Sequence, residues 1–145
     1  MTTTTNPLVV PLRLELAYNH ALGELSPYFN GLLHGRAMAT RCPACGKAWC
    51  PPRLVCHTDN SPTSWIELAG TGTLVSSTRT TTALPMTKEA RTCIFALTRL
   101  DGAENCLLAR MEASEPMPSP GQRVRLVRAP GDWPHPAQAA LLVPI

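Results

Sequence analysis

The chain has 145 residues, 44% of them hydrophobic and 16% charged, with a net charge of +3. That length accommodates one domain with a proper core plus a small metal module, and the composition excludes a disordered chain. So mild a positive charge does not demand a nucleic-acid or anionic-membrane partner.

Nothing in the sequence addresses the chain to a membrane or outside the cell. The opening MTTTTNPLVVP has no positive n-region, and its apolar run is too short for a signal peptide. No apolar stretch approaches the roughly 20 residues of a spanning helix. Of six cysteines, three sit together in a metal-type spacing and the others are scattered singly, which fits a reducing setting. The expected location is the cytoplasm.

Residues 1–11 read as a flexible arm, a Thr run followed by a Pro-bounded scrap. Leu12, Leu14 and Leu16 alternate with Arg13 and Glu15 as in a short strand, although Leu14, Tyr18, Ala21, Leu22 and Leu25 also fit helical spacing. A short helix follows, with Ser26 as N-cap, Pro27 at the first position and Gly35 as the stop. Tyr28, Phe29, Leu32 and Leu33 share one of its faces, which must dock on the chain's own core or on another subunit. Residues 36–41 form a strand that leads into the most informative segment.

That segment is Cys42 to Asp59, CPACGKAWCPPRLVCHTD. Cys42-x-x-Cys45 and Cys56-His57-Thr58-Asp59 are two tight knuckles, each offering metal ligands at its ends, with room between them for one small hairpin. Pro43 and Gly46 suit the first turn. A tetrahedral zinc closed by Cys42, Cys45, Cys56 and Asp59 is expected, because a carboxylate oxygen is a legitimate zinc ligand. His57 or Cys50 could stand in for Asp59. Lys47 to Cys50 reads as the outgoing strand, and Pro51-Pro52 ends it because proline cannot donate to a ladder.

Beyond the linker Asn60-Ser61-Pro62, strands take over. Trp65 to Leu68 and Thr73 to Thr80 read as one long first strand, bent at Gly70-Thr71-Gly72 as a small closed barrel requires. Pro85 and TKEAR make a loop. Thr92–Leu100 and Cys106–Glu112 form a hairpin about the turn at Asp101–Asn105. Glu115–Gly121 is a proline-rich connection. In Gln122–Arg128, Val124 and Leu126 alternate inward against outward arginines. Ala140–Ile145 ends the chain as an edge strand.

The ordered string Cys42-x-x-Cys45-Gly46, Pro51-Pro52-Arg53, Cys56, Trp65, Gly70-x-Gly72-x-Leu74-x-Ser76-x-Thr78 resembles one family over roughly residues 26–128. Its members are bacterial and archaeal proteins, long filed as a domain of unknown function and associated with acyl-CoA. They join an N-terminal helix and a rubredoxin-like zinc ribbon to an OB-fold. The resemblance implies a mainly β protein: arm and helix over 1–35, ribbon over 36–62, and a C-terminal OB-fold barrel over 63–145. It also implies a non-catalytic accessory subunit that helps hold the coenzyme A moiety of a thioester. Such subunits assemble with a thiolase-like acyltransferase, with hydroxymethylglutaryl-CoA synthase, or with hydratases and aldolases of steroid side-chain breakdown. Carried to this chain, Lys47, Arg53 and Arg79 are the cations to test against coenzyme A phosphates, with Trp65 as an apolar wall. The departure from the family is Asp59, where its pattern has cysteine.

The residues themselves show no Ser-His-Asp, Cys-His or paired-carboxylate constellation at recognisable spacing. His20, His34 and His135 are isolated, and Cys93 and Cys106 read as strand thiols. The alternative function is single-stranded nucleic-acid binding, which zinc ribbons and OB-folds both perform. Arg123, Arg125 and Arg128 favour it; the scarcity of aromatics after Ile66, only Phe95 and Trp133, opposes it. A rubredoxin-type iron centre needs four thiolates and fails at Asp59.

Overall fold

The computed structural model describes residues 8–83, 89–112, 115–133 and 135–145. The Thr run at 2–5 and most of the expected loop around Pro85 lie outside these residues. Residues 8–22 have no regular secondary structure. Along this arm Leu8, Val10, Leu12, Leu14, Leu16 and Tyr18 fall on every second residue and are 60–92% exposed. The strand read at Leu12–Leu16 therefore has the right periodicity but pairs with no strand among the described residues, and a lone strand does not form in water.

A single 3-10 turn, Gly23–Leu25, leads into α1 (Ser26–Leu33). Ser26 is not the N-cap. Its hydroxyl instead donates to the Gly23 carbonyl at 2.6 Å, Leu25 takes the cap position without a side-chain bond, and Pro27 sits in the first turn as expected. The helix docks on its own chain, packing on β1 (Ala37–Arg41) and on the short α2 (Pro136–Ala139). Tyr28 and Leu32 are buried while Phe29 and Leu33 are half-buried. Each of the two buried side chains contributes about 1.5–3 kcal/mol of apolar burial.

Two sheets follow. The first has the order β2–β1–β3, with β2 at Ala48–Trp49 and β3 at Ser64–Leu68. β3 runs antiparallel to β1 from Ala37 opposite Leu68 to Arg41 opposite Ser64. Residues 65–68, expected to begin the barrel's first strand, thus lie in the ribbon sheet. The chain changes sheet at Ala69–Gly70, where Gly70 adopts a left-handed φ of 76°.

The second sheet closes into a five-stranded barrel. Its strands are β4 (Thr71–Ala83), β5 (Ala90–Leu100), β6 (Leu107–Met111), β7 (Arg123–Arg128) and β8 (Ala140–Pro144), in the order β4–β5–β6–β8–β7. A parallel β6–β8 pair beside antiparallel neighbours gives the Greek-key closure of an OB-fold. The fold is mainly β, with a short N-terminal helix, a cysteine-bearing ribbon and a closed barrel. β8 is accordingly no edge strand: it sits between β6 and β7, with Ala140 and Leu142 inward, and removes the barrel's open edges. β4 bends at a bulge between Leu74 and Ser76 rather than at the glycines. Gly72 serves closeness instead, since a Cβ there would lie 2.5 Å from the Arg99 carbonyl oxygen and 2.9 Å from Leu100 Cα. In β7, Val124 and Leu126 point inward and Arg123 and Arg125 outward, as the alternation predicts, while Arg128 is exposed at the strand's end against that period.

Ribbon and barrel are joined by the turn after β5. The Glu104 N–H donates to the Ala48 carbonyl at 2.8 Å. Asn105 accepts from the Cys50 N–H at 2.8 Å and donates to the Pro51 carbonyl at 2.9 Å. No helix among the described residues is long and apolar enough to cross a membrane.

Candidate metal centre

The two knuckles have nearly the same backbone. In the first, the Gly46 N–H donates to the Cys42 carbonyl (2.9 Å) and the Cys42 N–H to Lys47 (2.9 Å). In the second, Asn60 donates to the Cys56 carbonyl (3.0 Å) and Cys56 to Ser61 (2.9 Å). Gly46 and Asn60 occupy the matching left-handed position, at φ 75° and 57°. Asparagine tolerates that region better than other side-chain-bearing residues. Each knuckle also aims an N–H at a sulfur, Cys45 at Cys42 Sγ and Thr58 at Cys56 Sγ, both at 3.4 Å.

This geometry brings Cys42, Cys45, Cys56 and Asp59 together, with one donor atom from each lying within 4.8 Å of all the others. Cys45 Sγ and Cys56 Sγ are 3.7 Å apart, and Cys42 Sγ lies 3.4 Å from Asp59 Oδ2. A tetrahedral ion with metal–sulfur bonds near 2.3 Å and a metal–oxygen bond near 2.1 Å needs edges of about 3.8 and 3.6 Å. The donor set fits such an ion, and these four residues could hold one. Cys50 and His57 stand outside the group. Cys50 is fully buried, its thiol faces the Met38 carbonyl, and burial pushes its pKa up to about 12. His57 lies edge-on to Trp49, with ring centroids 5.6 Å apart.

Charge within the cluster is uneven. Hydrogen bonds from Ser61 hold the Asp59 carboxyl down at about 2. Burial raises Cys56, but the Thr58 and Asp59 N–H groups and the neighbouring thiols outweigh it and bring Cys56 below the ordinary thiol value. For Cys42 the Cys45 N–H pulls downward, yet burial and the adjacent sulfurs prevail and lift it to about 11. An ionised carboxylate and three thiols therefore face one another at close range, a donor set suited to a cation.

Several supporting residues were not singled out from the sequence. Trp49 is buried against Cys42 and Cys56 and forms the cluster's apolar floor. Thr40, fully buried, uses its hydroxyl to grip Arg53 at both the carbonyl (2.7 Å) and the N–H (3.0 Å). Asn60 betrays itself only by matching Gly46 in the alignment of the two knuckles. Asn105, 55 residues from Cys50, gives no local signal at all.

The four residues carried over for coenzyme A are spread across the molecule. Lys47 closes the first knuckle and is half-buried. Arg53 has a pinned backbone and an exposed side chain. Trp65 is half-buried and lines an open depression with Pro27, Leu54, Val55 and Pro62, beside Gly23 and Glu24. Arg79 stands on β4, in the other sheet, ion-paired to Glu115 at 2.6 Å.

No family model matches the chain, and no curated protein matches it. Solved structures do. A protein of unknown function from the DUF35 family of Sulfolobus solfataricus is similar over 85% of this chain and 87% of its own, with a TM-score of 0.61 and 19% identity. A chain of the Ltp2-ChsH2(DUF35) aldolase is similar over 87% of this chain and 98% of its own, with a TM-score of 0.65 and 23% identity. This chain has the DUF35 fold. The likeness spans almost the full length of the aldolase chain, so ribbon and barrel match as one unit. At these identities it speaks for the DUF35 architecture and leaves the chemistry of the knuckles to the residues found here.

Proposed function

We propose that this protein is a non-catalytic accessory subunit of an acyl-CoA- or ketoacyl-processing complex built around a thiolase-like acyltransferase. It helps assemble that complex and hold the coenzyme A moiety, and its ribbon carries a structural zinc. The observation that carries this reading is the shared fold with a DUF35 chain of an aldolase. The arm supports it: six large apolar side chains on alternate residues, all exposed, are more than a lone chain leaves in water without a partner. The cluster supports zinc, whose preference for thiolate with oxygen in a tetrahedron matches three sulfurs and one carboxylate.

In this reading the depression beside Trp65 takes an apolar stretch of the coenzyme. Arg53 meets a phosphate with little backbone entropy left to lose, while Arg79 must release Glu115 to do the same. The barrel's arginines favour nucleic acid less than they did as a bare sequence. Of the row Arg123, Arg125 and Arg128, Arg123 is paired with Asp101 and Arg128 bonds the Gly131 carbonyl.

The test is affinity purification of the tagged protein from its native cell extract, with metal analysis of the same sample. A thiolase-like or related acyl-CoA enzyme at stoichiometric yield, with about one zinc per chain, is the expected result. A chain that brings down nucleic acid, or nothing, overturns the reading. With the complex in hand, Arg53→Ala is expected to weaken coenzyme A thioester binding about tenfold, the loss of one charge-assisted hydrogen bond.

A further inference from the structure

The second knuckle keeps the backbone of the first but changes the donor, and the two oxygens of Asp59 are not equivalent. Oδ1 accepts the Ser61 N–H at 2.8 Å. Oδ2 is the nearer to Cys42 Sγ, at 3.4 Å against 3.7 Å for Oδ1. Burial divides the cluster as well: Cys42 and Cys56 are buried, while Cys45 and Asp59 face solvent. The one oxygen donor is therefore on the open side.

We propose that the cluster is a three-thiolate, one-carboxylate metal site in which Asp59 binds through Oδ2 alone and can be exchanged for a small thiol from solvent. This rests on the metal-site part of the reading above. A single carboxylate oxygen holds a borderline divalent ion less strongly than a thiolate does, so it is the first ligand to leave. Its departure does not disturb the knuckle. The turn is kept by the Asn60 N–H on the Cys56 carbonyl and by the left-handed Asn60, and Oδ1 stays on the Ser61 N–H. A four-thiolate ribbon has no such position, since any exchange there breaks a metal–thiolate bond. Exchange at Asp59 swaps a carboxylate for a thiolate and frees one proton from the entering thiol. The metal keeps its oxidation state.

The experiment loads the full-length protein and its variants with Co²⁺, whose visible spectrum reports coordination number and whose sulfur-to-metal charge-transfer band grows with each thiolate. Affinity is measured in parallel by chelator competition. The wild type is expected to show a tetrahedral, three-thiolate spectrum, and added 2-mercaptoethanol to raise its charge-transfer band towards that of Asp59→Cys. Asp59→Cys itself is expected to bind more tightly and ignore the thiol. Asp59→Ala is expected to lose at least about tenfold in affinity and to recover part of it when thiol is added. Asp59→Asn, which preserves the acceptor for Ser61, guards against a mere folding defect, and circular dichroism checks each variant.

A wild-type spectrum indifferent to thiol, or an Asp59→Ala protein with wild-type spectrum and affinity, overturns the proposal. If Asp59→Cys loads and the wild type does not, the proposal fails while the ribbon remains a metal fold. If neither loads, the metal-site reading fails with it.

Discussion

Asn105 fastens the ribbon to the barrel, and its removal has a cost that follows from the geometry. The carboxamide satisfies the N–H of the fully buried Cys50 and donates to the Pro51 carbonyl, at 2.8 and 2.9 Å. Asn105→Ala leaves a buried donor without a partner, which costs about 1–3 kcal/mol, and forfeits a second bond worth about 1 kcal/mol. A total of about 2–4 kcal/mol is expected. For a chain of this size each kcal/mol lowers Tm by about 3–4 °C, so the loss is about 6–16 °C. The assay is urea unfolding followed by Trp fluorescence, together with calorimetry, at one fixed metal load, because bound ligand shifts apparent stability by mass action. Asn105→Asp keeps the acceptor for Cys50 but sets a carboxylate oxygen against the Pro51 carbonyl, so it should be less stable than the wild type and recover part of the loss when acidified enough to protonate and donate. A loss below about 0.5 kcal/mol for Asn105→Ala, within the range of an ordinary surface change, would refute the reasoning.

Two further outcomes are expected. Gly72→Ala sets a methyl group against the Arg99–Leu100 backbone, which cannot yield as a side chain would; it should cost about 1–3 kcal/mol, read as a lower urea midpoint at unchanged m. Asp101 accepts two bonds from Arg123 and one from Thr71, which hold its carboxyl down at about 2. Since that lies below the unfolded value of about 3.9, the unfolded chain binds the proton more readily in between. The stabilisation is therefore complete above about pH 4 and is lost as pH falls towards 2. Both partners are nearly half-exposed, so it amounts to at most about 1 kcal/mol. Tm measured from pH 6 to 2 should fall less for Asp101→Asn than for the wild type in that window, and parallel curves would show that the pair contributes nothing.

Where a position needs a special residue, the sequence spoke clearly. The knuckles announced themselves through Cys42, Cys45, Gly46 and Cys56 because tight turns and soft ligands each admit few residue types. Strand β7 was legible because Val124 and Leu126 must face inward. Other features depend on partners remote in sequence. Nothing in the periodicity of Trp65–Leu68 says which sheet it joins, and only its register against Ala37–Arg41 decides. Ala140–Pro144 reads the same as an edge strand or as the strand that closes a barrel. Ser26 looked like a cap, but the left-handed Gly23 before it turns its hydroxyl into a donor to the Gly23 carbonyl.

Asp59 shows most directly why fold and chemistry could be read apart. The turn of the second knuckle is fixed by the Cys56 carbonyl, the Asn60 N–H and the left-handed φ of Asn60, none of which depends on the fourth donor atom. A carboxylate reaches the same centre as a thiolate would, while spending one oxygen on the Ser61 N–H. Having oxygen instead of sulfur at 59 therefore leaves the ribbon's path intact and alters only the donor that the four-residue group could offer an ion. The string of cysteines, glycines and prolines could thus indicate the architecture correctly, although one of its members had changed its chemistry.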